Sequence, residues 1–395
     1  MKYFITCLLF ITLSTSHLAQ SKMEEVKSLL EEMKMKYAPD KRVALFSYET
    51  EESGEKILVK GETNIPEAYD ELKNYAADNK EVELLSEILP SEKLGEKKYG
   101  IVNLSAANIR SKPEHPAELA TQAIMGTPVK VLKYSGGFYL VQTPDLYISW
   151  IDDDGIALVT KNELMEWLQS EKIIFTSEYG FSYSKADDGS QRVSDLVIGN
   201  MLKYLGDEGE FYKVEYPDGK NAFVRKNNAA KYSDWLNSLV PNGSNVIKTA
   251  FSFMGIPYLW GGTSAKGMDC SGFTKTVYFL HGIMLQRDAS QQVYTGELVD
   301  TTNNFANLEV GDLLFFGRKA TEDKKEKVTH VAIYIGNMDY IHASGSVKVN
   351  SLDKSKDNFS EYRLKSFIRA KRILTSIDKN GISTLKSNLF YNGEF

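Results

Sequence analysis

One cysteine and two histidines hold most of the reactive chemistry available to this chain. Cys270 is one of two cysteines among 395 residues, and the other, Cys7, lies near the start. It sits in Gly255 to Gly272, GIPYLWGGTSAKGMDCSG, where Gly261, Gly262 and Gly267 lead into Asp269-Cys270-Ser271-Gly272. The apolar run from Phe273 to Leu280 predicts a helix ending near Gly282, which puts the thiol at or near a helix N-terminus. Unpaired N–H groups and the helix dipole favour a thiolate there. A free cysteine is also commonly a buried structural residue. The nucleophilic reading therefore needs a base.

His330 and His342 can supply one. His330 opens Thr329-His330-Val331-Ala332-Ile333-Tyr334-Ile335-Gly336, and His342 lies in Tyr340-Ile341-His342-Ala343-Ser344-Gly345. Acyl transfer through a cysteine needs a base near sulfur and a third group that fixes the base's orientation and tautomer. Two adjacent antiparallel strands joined by a short turn can place both rings side by side. A single strand histidine is more often a satisfied core residue, but two of them with a lone cysteine make a coherent set. Zinc would require three or four ligands at spacings not seen here, so the residues imply neither a metal nor another cofactor.

The elements that must position these residues begin at Ser244. Val246 to Met254 predicts an amphipathic helix, and the Cys270 helix follows it. Gln286 to Gln292 reads as a polar loop, and Leu308-Glu309-Val310-Gly311-Asp312 turns into a strand at Leu313 to Phe316. The charged stretch Lys319 to Lys327 reads as a solvated hairpin tip before a strand at Val328 to Ile335. Another strand, Asp339 to Ala343, follows the Gly336-Asn337 turn. Helices first and an antiparallel sheet afterwards predict an α+β domain.

The middle of the chain repeats itself. A shift of 73 residues lays 108–151 on 181–224 without a gap. Phe138-Tyr139-x-Val141-x-x-Pro144-Asp145 falls on Phe211-Tyr212-x-Val214-x-x-Pro217-Asp218, and Gly126 falls on Gly199. Short alternating strands with Pro-Asp turns predict two small all-β barrels. Lys161 to Ser170 and Asn227 to Leu239 predict helical closures for them. Tyr147 falls on Lys220 and Glu118 on Gln191, so the barrel does not itself demand either side chain. Further upstream, Lys22 to Tyr37 predicts a helix, and Arg42 to Tyr48 and Lys56 to Lys60 predict strands. Ile65 to Asn79 and Val82 to Ile88 read as helical or mixed, giving a small α/β element.

Pro257-Tyr258-x-Trp260-Gly261-Gly262, Asp269-Cys270-Ser271-Gly272-Phe273, Gly311-Asp312-Leu313, His330 to Gly336 and Ile341-His342-Ala343 resemble the NlpC/P60 cysteine peptidases in order and spacing. The resemblance covers about residues 244–375. It implies a papain-like α+β fold, and Cys270 as nucleophile, His330 as base and His342 as orienting residue. It also implies that Tyr258 and the Cys270 N–H stand near the oxyanion, where one donor lowers a barrier by about 2.7–4 kcal/mol. With the tandem SH3-like barrels, the architecture resembles the γ-D-glutamyl-L-diamino acid endopeptidases of that family, also called dipeptidyl-peptidase VI. These cleave murein peptides carrying a free N-terminal L-Ala. By motif position the resemblance implies Asp288, Glu118 and Tyr147 as holders of the ammonium group, with Ser271 nearby. Ala289 replaces a serine common after the aspartate, and Leu146 stands where glycine is usual before the tyrosine. The rival readings are an endopeptidase acting on amino-blocked wall stems and a non-catalytic wall-binding protein.

The bulk properties agree with a soluble, multidomain chain: 42% hydrophobic residues, 25% charged and a net charge of -6. That charge points to no nucleic-acid or anionic-membrane partner. The expected organisation is a signal peptide at 1–19, the α/β element at 20–95, barrels at 96–160 and 161–240, the catalytic domain at 241–375 and a tail at 376–395. Lys2, the short apolar run Phe4 to Leu13 and the small polar residues after it read as an export signal, too short for a membrane anchor. The expected location is periplasmic or secreted. Cleavage after Ala19 would leave Cys270 the only cysteine in the mature chain.

Overall fold

The computed structural model describes residues 21–395; the expected signal segment at 1–19 lies outside the described residues. Residues up to Gly95 and those from Glu96 onward form two compact units. In the first, a helix over 21–37 and the helix Pro66–Asp78 cover a three-stranded sheet. Val26, Met33, Val59 and Leu72 are sealed in its core. Val82–Ile88 is a strand, parallel to Lys56–Thr63, where the sequence suggested helical or mixed structure. Pro66–Asp78 is the crossover that such parallel pairing requires, and strand pairing overrides the local helical propensity of Glu and Leu.

In the second unit the sequence repeat becomes a structural one. Strands Tyr99–Val102, Ala106–Arg110, Leu119–Ile124, Pro128–Ser135, Phe138–Gln142 and Ile148–Asp152 recur 73 positions later. Their counterparts are Lys172–Phe175, Tyr179–Tyr183, Arg192–Val197, Met201–Glu208, Phe211–Glu215 and Asn221–Arg225. Both copies make seven-stranded antiparallel sheets with the same strand order. Ala229–Lys231, inside the stretch read as helical, is the closing strand of the second sheet and pairs with Lys172–Phe175. It corresponds to Ile156–Val159 in the first copy. The helix shortens to Tyr232–Ser238. After the first sheet, Lys161–Gln169 starts in a Thr160/Glu163 capping box and packs Leu164 and Trp167 onto Ile101 and Val159.

The largest sheet after the barrels has six antiparallel strands. Their order is Glu297–Val299, Phe367–Arg372, Leu313–Arg318, Lys327–Gly336, Asp339–Ser344 and Ser346–Ser351. The helices Gly243–Ser252 and Cys270–Phe279 pack on it. Phe273 and Val277 are fully buried, each burial worth about 1.5–3 kcal/mol. The expected polar loop contains a short helix, Ala289–Gln292.

The first barrel is seated directly on this domain. Gln122 uses its whole amide, accepting from the Thr263 N–H and Ser264 Oγ at 3.0 Å and donating to Asn108 Oδ1 at 3.0 Å. A buried ion pair joins Lys275 to Asp145. Backbones also meet closely. A Cβ at Gly261, whose φ is +78°, would lie 2.2 Å from the Leu119 carbonyl oxygen, so only glycine permits the contact. The last residues bind the same face: Asn388 Nδ2 donates to the Pro144 carbonyl at 3.0 Å, and Phe390 stacks on Phe395.

Candidate active site

Cys270 is the first residue of its helix, so its own N–H has no acceptor within that helix. Asp269 caps the helix, accepting from the Gly272 N–H at 2.7 Å and the Gly261 N–H at 3.0 Å. Helix start and glycine-rich approach are thereby tied to one carboxylate. Gly272 allows it: a Cβ there would meet the Gly262 carbonyl oxygen at 2.0 Å.

Asp269 is held in turn by Arg287, which is 1% exposed. Arg287 reaches Asp269 Oδ2 at 2.6 Å and Oδ1 at 3.2 Å, Ser271 Oγ at 3.1 Å and Thr121 Oγ1 of the first barrel at 2.8 Å. Burial opposes its charge, but Asp269 outweighs burial and raises its pKa above the ordinary arginine value. Sequence reading singled out its neighbour Asp288 and not Arg287. Nothing local signals that it joins two domains.

The two histidines meet through strand register. Ile333 faces Ile341, so the ladder puts His342 opposite Ala332, two residues along from His330 and on the same side. His330 Nε2 and His342 Nδ1 are 2.7 Å apart. The row continues onto the next strand, where Asn350 Oδ1 lies 3.0 Å from His342 Nε2. Asn350 Nδ2 donates to the Asn358 carbonyl at 2.9 Å, which orients the amide. Its oxygen must then accept from His342 Nε2–H, leaving His342 Nδ1 to accept from His330 Nε2–H. His330 Nδ1 is left as the free base. Asn350 was missed because it sits eight residues beyond His342, with no motif to mark it.

Cys270 packs against the strand that carries His330. The backbone N–H groups of Val331 and Ser271 reach its sulfur and favour the thiolate, against the larger effect of burial. Among the described residues no hydrogen bond joins the sulfur to the His330 ring; catalytic hydrogen bonds often tighten as substrate binds. Burial, reinforced by the Asp269 charge, pushes the Cys270 thiol up to about 11. Burial thus opposes the thiolate that the helix start favours. Burial also holds His330 well below the ordinary histidine range, with Arg363 and His342 adding to the effect. The resting pair is a thiol and a neutral imidazole. Tyr258 is pushed up to about 12, mainly by burial, and stays a hydroxyl donor.

A cavity of about 430 Å³ opens over the sulfur, lined by Cys270, Tyr258 and Ser271 together with Glu118, Tyr147 and Asp288. Every sequence-predicted residue other than the two histidines therefore borders one space. Glu118 Oε1 accepts from Trp260 Nε1 at 2.7 Å, a bond between barrel and catalytic domain. The Ser271 hydroxyl is already engaged, donating to Asp269 Oδ1 at 3.2 Å and accepting from Arg287. Tyr147 follows Leu146, whose φ is +67°. That left-handed backbone explains why glycine is usual there.

A buried cysteine beside a histidine row, on an α+β sheet with its helix start in a cleft, defines a papain-like cysteine peptidase. The NlpC/P60 family profile matches residues 255–369, and the profile of the bacterial dipeptidyl-peptidase Sh3 domain matches 109–156. A γ-D-glutamyl-L-lysine dipeptidyl-peptidase of Bacillus cereus is 32% identical over 234 residues, covering 57% of this chain and 67% of that one. Dipeptidyl-peptidase 6 of Lysinibacillus sphaericus is 27% identical, covering 64% and 92%. The crystal structure of an NlpC/P60 family protein from Bacillus cereus superposes with a TM-score of 0.60 at 26% identity, covering 70% and 99%. The chain belongs to the NlpC/P60 family of cysteine peptidases.

Proposed function

We propose that this protein hydrolyses the γ-D-Glu–diamino acid bond of murein peptides that carry a free N-terminal L-Ala, outside the cytoplasm. The observation that supports this reading is the shared cavity, where Glu118 and Tyr147 of the first barrel face the same space as Cys270, Tyr258 and Asp288. An ammonium group leaving water for a closed cleft needs carboxylate partners. Glu118 and Asp288 offer two.

In this reading the Cys270 sulfur attacks the γ-carbonyl carbon while its proton passes to His330 Nδ1. The oxyanion is met by the Cys270 N–H and the Tyr258 hydroxyl. Imidazolium His330 then protonates the leaving amine as the C–N bond breaks, and water hydrolyses the thioester with His330 as base. Because the proton moves during attack, no thiolate need accumulate beforehand. Among the described residues no helix is long and apolar enough to cross a membrane.

The test is a paired assay of L-Ala-γ-D-Glu-diamino acid and its N-acetylated form. Free tripeptide should be cleaved at least tenfold faster, and Cys270→Ala should abolish both reactions. Equal rates would instead favour an enzyme of amino-blocked stems. Retention on insoluble peptidoglycan without any turnover would favour the wall-binding reading.

A further inference from the structure

Arg363 lies near the histidine row, next to Phe316, outside the set of residues that line the cavity with Glu118 and Asp288. It lies on the helix Glu361–Ser366, and its guanidinium is 5.6 Å from the Phe316 ring and 5.3 Å from the Tyr362 ring. Phe316 is opposite His330 in the strand ladder, with ring centroids 5.9 Å apart. This cation and the proposed base therefore both neighbour one aromatic ring. Its charge acts on Cys270 and Tyr258 as well as on both histidines. Yet among the described residues nothing accepts a hydrogen bond from the guanidinium, whereas Arg287, Arg369 and Arg372 each have a carboxylate. A half-buried guanidinium with its fork of donors unused suits a planar anion.

The proposed chemistry says which anion. His330 protonates the leaving nitrogen, so the diamino acid must lie over the histidine row during cleavage. Its α-carboxylate is joined to that nitrogen through a single carbon. The α-carboxylate of D-Glu, by contrast, lies three carbons from the scissile carbonyl carbon, towards the ammonium end. We propose that Arg363 binds the free α-carboxylate of the diamino acid, so that the enzyme prefers peptides ending at that residue. This assignment rests on the proposed reaction, and it makes the cleft a two-ended gauge, with carboxylates for the ammonium group and a guanidinium for the C-terminus.

Three substrates test it: L-Ala-γ-D-Glu-L-Lys, its lysine carboxamide, and the analogue with D-Glu α-carboxamide. The wild-type enzyme should favour the first over the lysine carboxamide by roughly 10- to 100-fold, chiefly in KM. Arg363→Gln should shrink that preference to within about twofold, and Arg363→Lys should keep part of it. If Arg363→Gln slows the free acid and the lysine carboxamide equally, or its effect instead follows the D-Glu carboxylate, the assignment is overturned. A second measurement needs no peptide substrate. The ratio of Cys270 alkylation rates with iodoacetate and iodoacetamide should fall severalfold in Arg363→Gln, since only the first reagent carries a carboxylate. An unchanged ratio refutes an anion site at Arg363. A lowered ratio in a protein that cleaves none of the three peptides would keep the anion site while removing the proposed substrate.

Discussion

Replacing Arg287 by methionine tests whether the first barrel and the nucleophile are held by one buried charge network. The substitution roughly keeps the volume of the stem and removes every donor. Asp269 would lose two hydrogen bonds, at 2.6 and 3.2 Å, and Ser271 and Thr121 one each, at 3.1 and 2.8 Å. Asp269 is 7% exposed, so its carboxylate would be left with only the Gly261 and Gly272 N–H groups and the Ser271 hydroxyl. Breaking a buried pair from one side costs about 3–5 kcal/mol, a large share of the roughly 5–15 kcal/mol that holds a typical domain. Urea unfolding followed by tryptophan fluorescence should show this as a lower midpoint. Activity should fall further than stability explains, because the cap that aims the Cys270 helix start is disturbed. Adding Asp269→Asn removes the stranded charge and should restore more than half of the lost stability without restoring activity. A single variant losing under about 1 kcal/mol, or a double variant less stable than the single one, would refute the network argument.

The histidine row makes three further predictions. His342 titrates at 6.5 when unfolded but is pushed down to about 4 in the folded chain, mainly by burial. The unfolded state therefore binds the proton first. Stability should decline as pH falls from about 6.5 to about 4 and level off below, by about 3 kcal/mol from this residue. Subtracting the stability curve of His342→Gln from that of the wild type isolates the effect, and parallel curves would contradict it. Asn350→Ala should lower kcat roughly tenfold with little change in KM, the loss of one orienting hydrogen bond. Asn350→Asp should move the acid limb of the kcat/KM profile to higher pH, because a carboxylate favours protonated His342. A limb that stays in place in Asn350→Asp would deny Asn350 its positioning role.

Cys270 at a helix start and His330 and His342 on neighbouring strands could be read from the chain because each depends on short-range pattern. These patterns are a glycine-rich approach, an apolar run and alternation across a tight turn. The barrels were legible from their repeat, but the closing strands Ile156–Val159 and Ala229–Lys231 lie beyond the matched stretches 108–151 and 181–224. Val82–Ile88 was not legible, because its partner strand lies across a helix and pairing there outweighs local preference. Asn350 and Arg363 carry no motif. They matter only because sheet register and helix packing bring them to the histidines. The protonation of the site was likewise out of reach: a helix start alone argues for a thiolate, while the folded domain buries the sulfur and so opposes it. Residue types and local spacing thus determined which groups are capable of reacting. Tertiary packing decided which of them meet, how dry they are and what holds them, because desolvation and strand register depend on residues far apart in the chain.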